Sequence, residues 1–195
     1  EAPDEAALIY ADGWVALRNV TISDHVIGVG SSLFAATAGT TLTMANSIVW
    51  GNAGTPIDPS STIAISHSLI EGGYPGGTDI LDIDPRFVDA ANGDFRLASG
   101  SPAIDAGNNA EVHLDFWMDI DDDGDTSEEL DDMDGNVRRH DDIGVTDTGA
   151  GTAPIVDMGA YERVTGSTPA GITVNPTAGL VTTEAGGTAT FTVVL

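Results

Sequence analysis

The chain has 195 residues, of which 41% are hydrophobic, and its formal net charge of −25 comes from 31 acidic residues against six basic ones. Binding to a phosphate backbone or to an anionic lipid surface needs clustered cations, so this balance excludes nucleic acid and disfavours a membrane surface. The chain has no cysteine, which excludes disulfides and zinc–thiolate sites. No apolar run approaches the roughly 18 residues that a membrane-spanning helix needs, so we expect no membrane insertion.

Short apolar runs rich in β-branched residues fill the first part of the chain, and each is bounded by Gly, Asn, Asp or Pro. Runs of this length and composition predict β-strands, and helical periodicity is nearly absent. The predicted strands, in chain order, are 15–17, 20–22, 41–44, 47–50, 62–65 and 68–70.

These predicted strands repeat along the chain. Asn19, Asn46 and His67 each follow an apolar run and precede another, at spacings of 27 and then 21 residues. A repeat near this period indicates a solenoid, and short strands with a polar residue at each bend favour a parallel β-helix. We expect the two asparagines at bends, with side-chain amides hydrogen-bonded along the stack; ordinary Asn turns are the alternative.

An acidic segment occupies residues 115–147. Its carboxylates alternate and then meet Gly124, a pattern that resembles the first half of an EF-hand calcium loop. Leu130 stands where that loop places its last Glu, and no flanking helices are predicted, so a looser Ca²⁺ loop is expected. A solvated acidic loop is the alternative. The predicted ligands are Asp119, Asp121, Asp123, Asp125, Glu128 and Glu129.

A second, shorter acidic motif follows at 132–136. Asp132, Asp134 and Asn136 alternate around Gly135 and form a second candidate Ca²⁺ site. The alternative is a turn with Gly135 at positive φ, accompanied by pairing of Arg138 with a nearby carboxylate.

Several motifs in the second half resemble one known family: DPRFVD at 84–89, NGDFRLASGSPAIDAG at 92–107, DMDGNVR at 132–138 and VDMGAYE at 156–162. Together they resemble the C-terminal end of bacterial secreted right-handed parallel β-helix proteins, many of which carry a choice-of-anchor Q domain. The resemblance spans about 14–163, although Val137 replaces the proline usual in that turn. It implies a large, exported, multi-domain surface protein more than it implies an activity.

We therefore predict an all-β chain in two parts. Residues 1–165 would form the last coils and C-terminal cap of a right-handed parallel β-helix, with the loop-rich acidic insertion at 115–147. Residues 166–195 would form a linker and the first strands of an immunoglobulin-like or Calx-β-like repeat, which they resemble. The alternating run that ends at Leu195 favours a piece cut from a longer polypeptide.

The leading functional hypothesis is a non-catalytic, Ca²⁺-stabilised module of a large extracellular or cell-surface bacterial protein. Its role would be adhesion, surface structure or fibre or matrix assembly, through self-association or contact with other surface-protein domains. The alternative is a fragment of a polysaccharide lyase or glycosidase, or a glycan-binding β-helix, in which Trp14, Trp50 and Trp117 would stack on sugar rings if exposed. No catalytic residue is assigned, because no carboxylate pair or nucleophile motif is recognisable.

Overall fold

The computed structural model describes residues 7–11, 13–26, 32–36, 41–53, 55–57, 63–112, 129–164, 173–175 and 192–194. Within these ranges the chain is almost entirely β-structure and loops, with two single-turn 3₁₀ helices and no α-helix. The predicted all-β class is therefore confirmed. The residues cluster into two compact units, Glu1–Val164 and Thr165–Leu195. None of the described helices has the length and apolar character of a membrane span.

The first unit contains eleven described strands, most of them three to five residues long. In chain order they are β1 (Ala7–Ala11), β2 (Trp14–Arg18), β3 (Thr21–Ser23), β4 (Ser32–Ala36), β5 (Thr41–Ala45), β6 (Ile48–Trp50), β7 (Thr55–Ile57), β8 (Ile63–Ile70), β9 (Thr78–Leu81), β10 (Phe87–Asp89) and β11 (Asp94–Leu97). The two 3₁₀ helices are Ala90–Asn92 and Asn109–Glu111.

Strands β1 to β9 form parallel ladders that stack successive passes of the chain. One ladder joins β1, β4 and β7, and another joins β2, β5 and the first half of β8. A third joins β3, β6 and the second half of β8, and β9 then pairs with β8. The result is a curled parallel sheet, and we call its stacked strands β1 to β9 the coils. By contrast, β10 and β11 form an antiparallel pair.

The register of the stack is the one that the sequence repeat predicts. Leu17 pairs with Met44, and Met44 pairs with Ile65. Immediately beyond these positions, the bend residues Asn19, Asn46 and His67 have φ values of 49°, 50° and 43°. Left-handed backbone is costly for most residues, but Asn tolerates it because its short polar side chain bonds locally. The bends at Asn19 and Asn46 are therefore as predicted.

The expected ladder of amides along these bends is wrong. The Asn46 amide instead bonds the backbone of Asn108, accepting from its N–H at 2.7 Å and donating to its carbonyl at 3.0 Å. The Asn19 amide nitrogen donates to the carbonyl of Asp157 at 3.3 Å. Both asparagines thus fasten a later segment to the coils.

Serine hydroxyls form the ladder along the stack. The amide of Val20 donates to Ser47 Oγ at 3.2 Å, and the amide of Ser47 donates to Ser68 Oγ at 3.2 Å. Each hydroxyl donates in turn to a carbonyl two residues back in its own coil, at 2.7 and 2.8 Å. The donors and acceptors of this serine ladder are therefore satisfied within the stack, as buried polar groups require.

Two apolar cores lie on opposite faces of the coiled strands. Alternation within β6 places Val49 in the inner core and Ile48 in the outer one. The buried residues of the inner core are Ile22, Leu33, Phe34, Leu42, Met44, Val49, Ile57, Ile63, Ile65 and Ile70. Those of the outer core are Ile48, Leu69, Leu97, Ala103, Ile104, Ala106 and Met158.

The outer core is covered by two loop segments, 101–107 and 155–159, which we call the flank. The amide of Gly159 donates to the carbonyl of Asn46 at 2.8 Å, and a Cβ at Gly159 would lie 2.8 Å from Ile48 Cδ1. Its φ of 100° also excludes most other residues. The segments predicted as a C-terminal cap therefore pack against the outer faces of the strands, beside the bends at Asn19 and Asn46.

The second unit contains β12 (Thr173–Asn175) and β13 (Thr192–Val194), which pair antiparallel. An immunoglobulin-like or Calx-β-like repeat remains a prediction for this unit, since two short strands do not distinguish among β-folds.

Candidate metal centre

Asp105 lies in the flank, at a turn that the backbone holds from both sides. Its amide donates to Asp157 Oδ1 at 2.7 Å, and its carbonyl accepts from the amides of Thr148 and Gly149 at 2.9 and 3.0 Å. Its φ of 50° is left-handed. The position of the Asp105 side chain is therefore set by contacts with two distant segments, 148–149 and 157.

The carboxylate of Asp105 is fully buried, with an exposed fraction of 0%, and neither oxygen has a hydrogen-bond partner. The amide of Asp142 approaches the carboxylate and partly offsets the effect of burial, but it does not reach hydrogen-bond geometry. An unpaired buried carboxylate costs several kcal/mol, so such groups in proteins are protonated, paired or bound to metal.

Two further carboxylates converge on Asp105 from the loop 141–147. A turn closed by the Val145 amide, which donates to the Asp142 carbonyl at 2.7 Å, brings the two ends of this loop together. One oxygen each from Asp105, Asp141 and Asp147 then lies within 4.8 Å of the others. We call these three residues the Asp105 centre.

The charge around the Asp105 centre is strongly unbalanced. Burial, and then the negative charges of Asp147, Asp141 and Asp142, raise the pKa of Asp105 to about 6. The guanidinium of Arg163 pairs with Asp142, which is not one of the three carboxylates of the centre. That guanidinium therefore does not neutralise the three carboxylates of the centre, and a bound cation would stabilise them.

The donor set of the centre suits a hard cation. All three side-chain donors are carboxylate oxygens, and Ca²⁺ binds such oxygens at about 2.3–2.6 Å. Two ligands on opposite sides of one ion would then stand about 5 Å apart, which agrees with the 4.8 Å limit. The cluster is thus able to hold a metal ion, with other positions open to water or backbone carbonyls.

A buried network continues from the centre into the flank. Asp157 accepts from the amides of Asp105 and Arg163, both at 2.7 Å, and burial raises its pKa to about 7. Its own amide donates to the Glu162 carboxylate, whose oxygen lies 3.8 Å from Arg138 Nη1. Burial raises the pKa of Glu162 as well. These hydrogen bonds and the ion pair connect Asp105 to Asp157, Glu162 and Arg138.

Most of the predicted calcium loop lies outside the described residues. Those positions are Asp119, Asp121, Asp123, Asp125 and Glu128. Glu129 is described, and its carboxylate forms an ion pair with Arg139 at 2.7 Å. A Ca²⁺ site in this loop stays a prediction.

The second predicted site, at 132–136, has the geometry of the turn that was its alternative. Asp132 Oδ1 accepts from the amides of Asp134 and Asn136, both at 2.8 Å, and Gly135 has a φ of 79°. The Asn136 side-chain amide also donates to Asp132, at 3.1 Å to Oδ2. A ligand role for these residues stays a prediction.

Ion pairs accompany this turn. Asp134 binds Arg96 through two contacts, at 2.5 and 2.9 Å. Arg138 lies beside Glu162, the carboxylate pairing that the alternative included.

The predicted calcium ligands do not include the three residues of the Asp105 centre. Asp141 and Asp147 fall within the predicted insertion, but Asp105 was assigned only to a family-like motif. The available signal was a charged residue inside the apolar run Ala103–Ala106, since a buried Asp demands a partner. The pairing of that run with 141–147 is non-local and has no sequence signature.

Comparison of the chain with protein-family models, with curated proteins and with solved structures found no match. The resemblances to choice-of-anchor Q proteins and to immunoglobulin-like or Calx-β-like repeats therefore rest on the sequence motifs alone.

Proposed function

We propose that this chain is a non-catalytic, Ca²⁺-stabilised part of a right-handed parallel β-helix in a large extracellular or cell-surface bacterial protein. The observation that carries the proposal is the fully buried, unpartnered carboxylate of Asp105 beside Asp141 and Asp147. The stacked parallel ladders support the β-helix, although they are equally compatible with other curled parallel sheets.

Calcium is favoured over magnesium by the form of the donor set. Mg²⁺ prefers a nearly ideal octahedron and keeps several waters, whereas Ca²⁺ accepts irregular sets of six to eight oxygens. Asp141 and Asp147 lie on an exposed loop, and Asp105 lies in a separate buried turn. A site assembled from two such segments suits the more flexible ion, with an affinity matched to the millimolar Ca²⁺ outside cells.

The ion would act by fastening the flank to the coils. It would bridge the loop 141–147 to the turn at Asp105, and that turn leads directly to Asn108, which bonds the bend at Asn46. Burial of the outer core would then be linked to calcium binding. Such a module provides a stiff, acidic surface element suited to adhesion, surface structure or fibre assembly.

The test is thermal unfolding of the purified chain with excess Ca²⁺ and after removal of metal. Binding at 100 times the dissociation constant contributes about 2.7 kcal/mol, which for a chain of this size corresponds to a rise in Tm of roughly 5–11 °C. An unchanged Tm after metal removal would contradict the proposal.

The double variant Asp141→Asn/Asp147→Asn assigns the effect to the Asp105 centre. It should lose the calcium-dependent rise, yet without metal it should be at least as stable as the parent, because like-charge repulsion is relieved. Asp24→Asn is the matched control, since Asp24 is exposed and forms no ion pair with described residues. A double variant that keeps the full rise would place the ion elsewhere, for example in 119–129.

A further inference from the structure

An open cavity of about 430 Å³ lies at the ends of β3 and β6, and its lining includes no residue of the Asp105 centre. Its side chains come from the end of β3, the end of β6 and the segment that begins β10. The residues used below are Asp24, Trp50, Asp84, Arg86 and Phe87, all of which line it.

Trp50 faces outward into this cavity. Ile48 belongs to the outer core and Val49 to the inner one, so alternation places Trp50 on the outer face again. Its side chain is half-buried: part of it packs against the outer core, and part lines the cavity beside Phe87. An aromatic ring held in this way presents a rigid surface for stacking at little cost in entropy.

Arg86 differs from every other arginine of the chain. The remaining five each form an ion pair: Arg18 with Glu111, Arg96 with Asp94 and Asp134, Arg138 with Glu162, Arg139 with Glu129, and Arg163 with Asp142. Arg86 forms none with the described residues, although the chain carries 31 acidic groups. Its guanidinium therefore keeps hydrogen-bond donors available at the cavity.

Two carboxylates supply acceptors at the same cavity. Asp84 Oδ1 accepts from the Arg86 amide at 2.8 Å, which holds Arg86 at a φ of 54°. The other oxygen of Asp84 has no partner among described residues, and Asp24 forms no ion pair with them. The cavity thus combines one stacking surface, several free acceptors and one free cationic donor.

We propose that this cavity binds a neutral saccharide, with a sugar ring stacked on Trp50 and its hydroxyls bonded to Asp24, Asp84 and Arg86. Hydroxyls both donate and accept, so they satisfy carboxylates and a guanidinium together. The volume of the cavity falls in the usual range of small-ligand sites. Two carboxylates against one guanidinium, on a chain of charge −25, disfavour acidic sugars.

The test is isothermal titration of the calcium-saturated chain with cellotetraose as a neutral probe and tetragalacturonate as an acidic probe. We expect measurable binding of cellotetraose and weaker or no binding of tetragalacturonate. Trp50→Ala and Arg86→Ala should each lower the cellotetraose affinity by about tenfold or more. Trp14→Ala is the matched control, because Trp14 is 72% exposed and lies outside the cavity lining.

Three outcomes would overturn the proposal. Absence of cellotetraose binding, tighter binding of tetragalacturonate, or an equal loss of cellotetraose affinity in Trp14→Ala would each do so. Should Trp50→Ala not fold, as judged by circular dichroism, Arg86→Ala decides alone, since Arg86 is exposed and forms no described ion pair. Binding that survives without Ca²⁺ would separate this site from the Asp105 centre and leave the saccharide assignment intact.

Discussion

The coils and the flank of the first unit are held together by different forces. Among the described residues, the inner core of the coils contains ten buried apolar side chains, and the bends carry serine hydroxyls that bond backbone groups. The flank and the loops beside it instead bury carboxylates and an arginine, among them Asp105, Asp157, Glu162 and Arg138. Apolar burial is insensitive to ions, whereas the flank contains charge that needs a counter-ion.

This contrast implies that the coils and the flank have different roles within one compact unit. The coils supply stability through area removed from water, and under the proposed function the flank would respond to Ca²⁺. The two meet at Asn46, whose side chain bonds Asn108 and whose carbonyl accepts from Gly159. Loss of the ion should therefore loosen the flank first and leave the coils in place.

The largest expected effect comes from the inner core. Phe34 is fully buried there, and Phe34→Ala should lower the free energy of unfolding by about 3–5 kcal/mol, with or without Ca²⁺. The control is Val26→Ala, because Val26 is 88% exposed and should cost less than about 0.5 kcal/mol. Chemical denaturation measures both. A cost for Phe34→Ala that depended strongly on calcium would contradict the independence of the coils.

Metal removal should produce the next largest effect, and it should be local. In hydrogen exchange, the amides of Gly107, Gly149 and Gly159 should lose protection when metal is removed, because they hold the flank in place. The amides of Met44 and Ile65, in the β5–β8 ladder, should keep theirs. Uniform loss of protection across both groups would mean that coils and flank unfold as one.

Close packing at Gly159 gives a third, smaller effect. Gly159→Ala forces a Cβ to 2.8 Å from both Ile48 Cδ1 and Thr21 Oγ1, so we expect a loss of about 2–3 kcal/mol, including backbone strain. Gly135→Ala is the matched control, because Gly135 also has a positive φ of 79° but has open space around it. Its cost should be about 1 kcal/mol, from strain alone.

The difference between the two glycine variants measures how closely the flank packs on the coils. Equal losses in urea denaturation would show that Gly159 tolerates a side chain and that this contact is loose.

The coils could be predicted from sequence because their determinants are local and repeated. The strands β2, β3, β5, β6 and β8 coincide with β-branched runs, and the 27- and 21-residue spacings align Leu17, Met44 and Ile65. The strands β1 and β4 were not predicted, and β4 contains no β-branched residue. Alternation alone did not reveal the outer core, since Ile48 and Leu69 occupy positions that would face solvent in an isolated solenoid. Their cover comes from residues far along the chain.

For the candidate metal centre, the sequence predicted the kind of ion but not the residues that would bind it. Acidity and glycine placement indicated a hard cation, but the buried carboxylate of Asp105 meets Asp141 and Asp147 through tertiary contacts alone. The same limit explains the asparagine bends: their left-handed backbone follows from local chemistry, whereas their amide partners, Asn108 and Asp157, lie far along the chain.

The last prediction is a pH dependence whose sign distinguishes the metal-free from the calcium-bound protein. Burial raises the pKa of Asp105 to about 6 and that of Asp157 to about 7, both above the ordinary value near 4 for Asp. Without metal the folded state therefore binds protons more tightly than the unfolded state. This stabilisation is complete below pH of about 4 and is lost as the pH rises through about 6–7.

Calcium reverses the dependence of folding stability on pH, because protons compete with the ion for the same carboxylates. The difference in Tm between calcium-saturated and metal-free protein should thus be small near pH 4.5 and grow up to pH 7.5. Taking this difference cancels the general repulsion within so acidic a chain, which acts on both samples. Asp105→Asn, which cannot titrate, should give a nearly constant difference. Parallel profiles for the parent chain would mean that Asp105 does not bind the ion.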